Sequence, residues 1–269
     1  MDQSIPQPIA RSAGVVRRLF GRLLVVAGGI AALWTHALLA DETVFQNSNG
    51  GYQGTRSATL SGEFDSQMTE NLWGNPTLSV AGVPWGGYRR MGLIRFDNLV
   101  GEGAGQLTKG ANIVSARLEL YKVGEPLDNG QYEKEEPSSR FIHLHRMLTQ
   151  FYPGGSTERE GTNVSCFSYR IFNDSNPVFW GDQHRLENGP VSGVDYDQVA
   201  MAKIPLEPGT LEQWYSFDVT SVVQQWVNGD VKNEGFYLRA LGYWIGAYFA
   251  SGVHPDGALR PKLVVEWTK

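Results

Sequence analysis

The chain has one cysteine, Cys166, in 269 residues. No intramolecular disulfide can form, so stability must come from a buried apolar core, which a chain of this length can supply. Cys166 itself reads as a small buried hydrophobe. A nucleophilic thiol would want a basic neighbour, and the sequence assigns none. Positive charge is also in short supply: 23 Lys and Arg stand against 28 Asp and Glu, a net of -5. There is no basic stripe, which removes nucleic acid from the candidate partners. EF-hand spacing, internal repeats and low-complexity linkers are all missing. The closing run from Tyr215 to Trp267 contains no Ser/His/Asp, His/Cys or paired-carboxylate signature. Glu133, Glu135 and Glu136 crowd one polar loop, whereas glycoside hydrolysis needs two carboxylates facing across a cleft. The residues point away from an enzyme.

Long hydrophobic runs are absent apart from one, Leu23 to Ala40, which follows Arg11, Arg17, Arg18 and Arg22. A basic stretch, an apolar stretch and a small residue before Asp41 form an export signal over residues 1–40. The alternative is an uncleaved anchor, the single route by which this chain would touch a membrane. His36, Thr35 and the paired glycines weaken that alternative. Arg17-Arg18-Leu19-Phe20 partly matches a twin-arginine signal. No cysteine borders the apolar stretch, which argues against a lipoprotein.

What is plentiful is the material of strands and turns. Glycine is present 32 times, proline 13 times, and aromatics make up 12%. Turns draw on the first two and pleated surfaces on the third. Alternation marks half-buried strands. In Ala116 to Tyr121, Ala116, Leu118 and Leu120 share one face, while Arg117, Glu119 and Tyr121 share the other. Ile94 and Phe96 point inward, as do Phe236 and Leu238, and Leu263, Val265 and Trp267. One short helix is expected near 220–228, capped by Asp218 or Thr220 and ended by Asn228-Gly229. Trp226 then plugs the core beneath one end of the sheets. A loop-rich insert spans 149–190, and its many aromatics argue for order. The mature part, 41–269, reads as one all-β sandwich.

Several segments together resemble the DNRLRE-domain family, which includes carbohydrate-binding module family 96. They are Trp73 to Val80; Arg90 to Asp97, like that family's "LLRFD" strand; and Ile113 to Tyr121, like its "I-x-S-A-x-L-x-L-Y" strand. Phe217 to Thr220 with Trp226, Gly235 to Arg239, Phe249 to Ser251, and Arg260-Pro261 follow in order. The resemblance implies a jelly-roll β-sandwich of two antiparallel sheets, secretion, and recognition of a polysaccharide. The chain differs from many members in standing alone, without an attached enzyme, and in the length of its insert.

Three sets of residues are candidates for a site. Arg95, Arg117 and Arg239 lie opposite the apolar faces of their strands. On adjacent strands they would form a cationic shelf able to grip uronate carboxylates bidentately. Otherwise they sit on a solvated face, with Asp97 and Glu119 as partners. Trp85, Tyr88, Tyr169 and Trp180 lie in glycine-rich loops, where they either stack on sugars or fill a core. Asp195 and Asp197 offer hard oxygen ligands for a structural calcium ion. His143 and His145 share a strand face, but a zinc site would need further ligands. The expected function is that of an exported, non-catalytic polysaccharide-binding module. The alternative is a structural cell-surface or matrix protein that packs against other proteins.

Overall fold

Strand alternation is the main organising signal, and the computed structural model bears it out. It describes residues 40–62, 74–82, 89–123, 141–153, 164–172, 176–182, 189–205, 212–241 and 245–269. All of these belong to the second of two compact units, Met1–Ala37 and Leu38–Lys269. The export signal and the acidic loop at 133–136 lie outside the described residues.

Thirteen strands and one α-helix are present among them. The strands are β1 Asp41–Gln46, β2 Thr55–Ser61, β3 Thr77–Gly82, β4 Arg89–Phe96, β5 Asn112–Val123, β6 Phe141–Arg146, β7 Tyr169–Ile171, β8 Val178–Phe179, β9 Ala202–Pro205, β10 Gln213–Asp218, β11 Phe236–Leu241, β12 Ile245–Ala250 and β13 Lys262–Thr268. The helix, α1, runs Thr220–Asn228. Every strand-to-strand pairing is antiparallel.

The fold is an all-β sandwich, but its sheets are not separate. Eleven strands share one hydrogen-bonded network. Two long strands explain this. Glu119 of β5 pairs with both Ser216 and Lys262, so β10 and β13 flank opposite edges. At Lys122 the edge that β13 has vacated is taken by β12. Likewise β4 carries β2 on one edge, with β3 and then β11 on the other. The β3–β12 pair thereby links the β13–β5–β10 sheet to the β2–β4–β11–β6–β9 sheet.

The main core lies between those sheets. Ala116, Leu118, Leu120, Ile94, Phe96, Phe236, Leu238, Leu263 and Val265 are fully buried there, and Trp267 is buried. Their alternation along each strand is what drives the pairing register. One position breaks the alternation. Between Ile113 and Ala116 the parity slips, because Trp267 pairs with Ile113 while Glu266 pairs with Ser115. Val114 is the extra residue of this bulge and is turned out to solvent.

Helix α1 closes one end. Asp218 Oδ1 accepts from the Thr220 amide at 2.9 Å and from the Thr220 hydroxyl at 2.7 Å. Gly229 ends the helix with φ 81°, donating back to the Gln225 and Trp226 carbonyls. Trp226 is buried against Phe236, ring centroids 5.1 Å apart.

A second core sits on the opposite face of the β2–β4–β11–β6 sheet. Leu60, Met91, Leu93 and Tyr237 face outward from the sandwich, yet they are buried beneath Met147, Phe151, Phe167, Trp180 and Tyr196. The insert supplies most of that cover. It includes the small β7–β8 sheet and a 3-10 turn at Trp180–Asp182. This sheet is therefore a middle layer, apolar on both faces.

Candidate functional site

The layered arrangement separates the three arginines. Arg95 lies on the middle sheet beneath the insert and is 8% exposed. Its Nε donates to Asp97 Oδ1 at 2.6 Å, a second nitrogen donates to the Phe151 carbonyl at 3.1 Å, and the guanidinium stacks over the Phe151 ring at 5.1 Å. Arg117 is on β5 in the other sheet, beside Glu119 and Glu266, each at 3.5 Å. Arg239 is on β11 and donates to the Tyr196 hydroxyl at 2.8 Å. The three do not form one shelf. Parity along each strand was read correctly, but parity does not say which sheet a strand joins.

The aromatic candidates divide as well. Trp180 is 3% exposed and donates through Nε1 to the Cys166 carbonyl at 2.9 Å, so it is a core residue and offers no sugar platform. Tyr169 is half-buried, packed on Phe172 and Phe179 at 5.4 and 4.8 Å. Trp85 and Tyr88 lie outside the described residues. Cys166 is fully buried, and burial pushes its thiol up to about 11.

Asp195 and Asp197 face different partners. Asp195 accepts from the Thr149 hydroxyl at 3.0 Å and the Val191 amide at 2.8 Å, and burial raises its pKa above the usual carboxylate range. Asp197 pairs with Arg146 at 2.9 Å. No group of three or more His, Cys, Asp or Glu able to hold a metal ion occurs among the described residues. His145 is buried, with its Nδ1 against the Asp197 carbonyl at 2.8 Å and its ring 6.2 Å from that of His143.

The Arg146–Asp197 pair also floors a groove of about 350 Å3 between α1 and the segment leading into β9. Arg146 is clamped from two sides, since it also donates to Gln225 Oε1 of α1 at 2.9 Å. Ser221, Val222 and Gln225 form the helical wall. Val222 and Gln225 project from neighbouring turns, and Ser221 sits one helical turn before Gln225, as i, i+4 spacing requires. Val199 and Met201 form the opposite wall. Val199 is 80% exposed, an unusual degree of exposure for a large apolar side chain at a groove's edge. The floor is polar and already paired, while the rim is apolar and open. Arg146, Asp197 and Gln225 are bonded to one another, so the open part of the groove is its apolar rim.

A larger groove, about 630 Å3, runs along β1 beside the 49–54 turn. Two of its polar side chains are bonded within the loops: the Tyr52 hydroxyl donates to the Asp97 carbonyl, and Gln106 bonds both the Asn98 carbonyl and the Gly103 amide. The Arg146 groove therefore ranks first as a candidate. Sequence reading did not find it, because α1, β6 and the 197–201 segment meet only in the tertiary structure. The one local signal was Val199-Ala200-Met201, a short apolar run that follows the polar Asp195 to Gln198 stretch.

Comparison with known families corrects the resemblance read from the sequence. The family model that matches is the TGF-beta propeptide, over residues 199–243. That is not a DNRLRE-type or carbohydrate-binding family, and the polysaccharide ligand inferred from the resemblance falls with it. The physical reason is that the segments resembling "LLRFD" and "I-x-S-A-x-L-x-L-Y" are strands whose alternating apolar positions, Val114 excepted, are buried, a demand that many β-sandwiches make. No curated protein sequence matches the chain. No helix among the described residues is long and apolar enough to cross a membrane. The matched stretch runs from Val199 through β9, β10, α1 and β11, and it contains the apolar rim and the helical wall of the Arg146 groove.

Proposed function

We propose that this chain is an exported, non-catalytic β-sandwich that packs against another protein. One observation carries the proposal. The stretch that matches a propeptide model also holds a groove with an open apolar rim, topped by the 80% exposed Val199. The basic-then-apolar N-terminus and the propeptide match both favour a place outside the cell. Full burial of Val199 by a partner would contribute about 1.5–3 kcal/mol, enough to make it an anchor.

The test is site-specific photocrosslinking in the host cell. A photoreactive residue at 199 should give a discrete adduct with another protein, identifiable by mass spectrometry. The control is the same residue at 114, which is also exposed but lies in the other sheet. Adducts at 199 no stronger or more specific than those at 114 would sink the proposal.

A further inference from the structure

The register of three neighbouring strands lines up a row of basic side chains that the sequence does not show. Arg239 of β11 lies directly opposite His143 of β6, and His143 lies directly opposite Lys203 of β9. All three point away from the main core, since Leu238, Ala240, Ile142, Leu144, Ala202 and Ile204 point into it. With strands about 4.8 Å apart, the row spans about 10 Å. None of the three is ion-paired to a carboxylate among the described residues; the one polar partner recorded for Arg239 is the Tyr196 hydroxyl. His143 responds to this company. Burial, then Lys203, then His145 and Arg239 all hold its pKa below the usual histidine value. Two cations, Arg239 and Lys203, thus flank a neutral imidazole, whose N–H can donate to a carboxylate, on a chain whose net charge is negative.

On one side of the row, Tyr237 and His145 are covered by Tyr196. On the other side the face opens onto Phe141 and Pro205, which pair with each other and are both exposed. A row of two cations and a neutral imidazole therefore borders an apolar ledge. The pitch of the row, about 4.8 Å, is close to the roughly 5–6 Å between side chains three or four apart on a helix.

We propose that this face binds an acidic amphipathic helix of a partner protein, its carboxylates on Arg239, His143 and Lys203 and its apolar side chains on Phe141 and Pro205. The proposal rests on the protein-docking reading above and names the partner's chemistry. Carboxylate on a helix is favoured over a free anion because a free anion would leave the apolar ledge unused.

The experiment titrates the full chain with a synthetic helix-forming peptide carrying Glu at three- and four-residue spacings and Leu on the adjoining stripe, followed by fluorescence anisotropy. Two control peptides replace Glu by Gln or Leu by Ser, and inorganic phosphate is the free-anion control. Binding should fall about tenfold with Lys203→Glu, about tenfold with the Gln peptide, and steeply with added salt. Phosphate should not displace the peptide except through ionic strength. Lys203 is exposed, so Lys203→Glu should fold; an unchanged melting curve confirms this. A second variant, Phe141→Ser, should weaken the Glu/Leu peptide but not the Glu/Ser one. Equal binding of the Glu and Gln peptides, or binding unaffected by Lys203→Glu, would overturn the proposal. Crosslinks at 199 that persist in Lys203→Glu would then leave the general docking reading intact.

Discussion

Arg95 and Arg117 occupy equivalent outward positions on β4 and β5, yet their surroundings give them different weights. Arg95 satisfies Asp97 and the Phe151 carbonyl in a nearly closed site. Removing it leaves the buried Phe151 carbonyl without its donor, while Asp97 keeps Arg56, so Arg95→Ala should lower unfolding free energy by about 2 kcal/mol. Arg117 is 39% exposed at its side chain and pairs at 3.5 Å with two surface glutamates. Arg117→Ala should cost under about 0.5 kcal/mol. Urea denaturation of the two variants checks the contrast, and equal losses would contradict it. At this scale much was legible. Which residues face inward follows from alternation alone, and Phe217, Phe236, Leu238, Leu263, Val265 and Trp267 are all buried. What covers the outward residues was not legible, because Phe151 reaches Arg95 from 56 positions away. Lys203 and His143 show the same limit: each alternates visibly on its own strand, and only the pairing of β6 with β9 brings them together.

Helix α1 was the most legible element because its signals are local. Asp218, Thr220 and Gly229 act within a few residues of the helix they bound. The carboxylate of Asp218, hydrogen-bonded to the Thr220 hydroxyl and amide, is held below its usual 3.8. A carboxylate depressed in the folded state stabilises it above the unfolded pKa, and that benefit is lost as pH falls through the folded value. Loss of the hydrogen bonds in Asp218→Ala should therefore cost about 1 kcal/mol near neutrality. The difference from the parent chain should shrink as pH drops below 3.8. Thermal melts across pH would show this, and a difference that persists undiminished in acid would contradict the stabilising role of these hydrogen bonds; the N-cap position itself is Val219, not Asp218 or Thr220. The bulge at Val114 in β5 was not legible. It exists only in register with β13, where one residue of that strand faces two of β5. The same holds for the split edges of β4 and β5, which turn the two expected sheets into one continuous network.

At the scale of the whole fold, the described residues form two cores separated by a single sheet. A sandwich was readable from the strands, and order in the insert from its aromatics; that the insert covers a face of the sandwich was not, since nothing local says where it packs. The two cores should respond separately. Trp180→Ala removes a buried ring from the outer core alone and should cost about 3 kcal/mol of local stability. Hydrogen exchange should then quicken in the segments around Phe151, Phe167 and Tyr196 while β5 and β13 keep their protection. Equal loosening of both regions would show one cooperative core instead. The middle layer also has a consequence for how the chain is made. β2 and β4 leave the ribosome carrying Leu60, Met91 and Leu93 before the residues that shield them have been synthesised, and Tyr237 follows later still. A nascent chain in that state presents an open sticky stripe, the kind of surface that seeds aggregation. That stripe stays open until Phe151, Phe167 and Trp180 have been made and β11 has brought Tyr237 beside β4, so the sheet and its cover must close late and together.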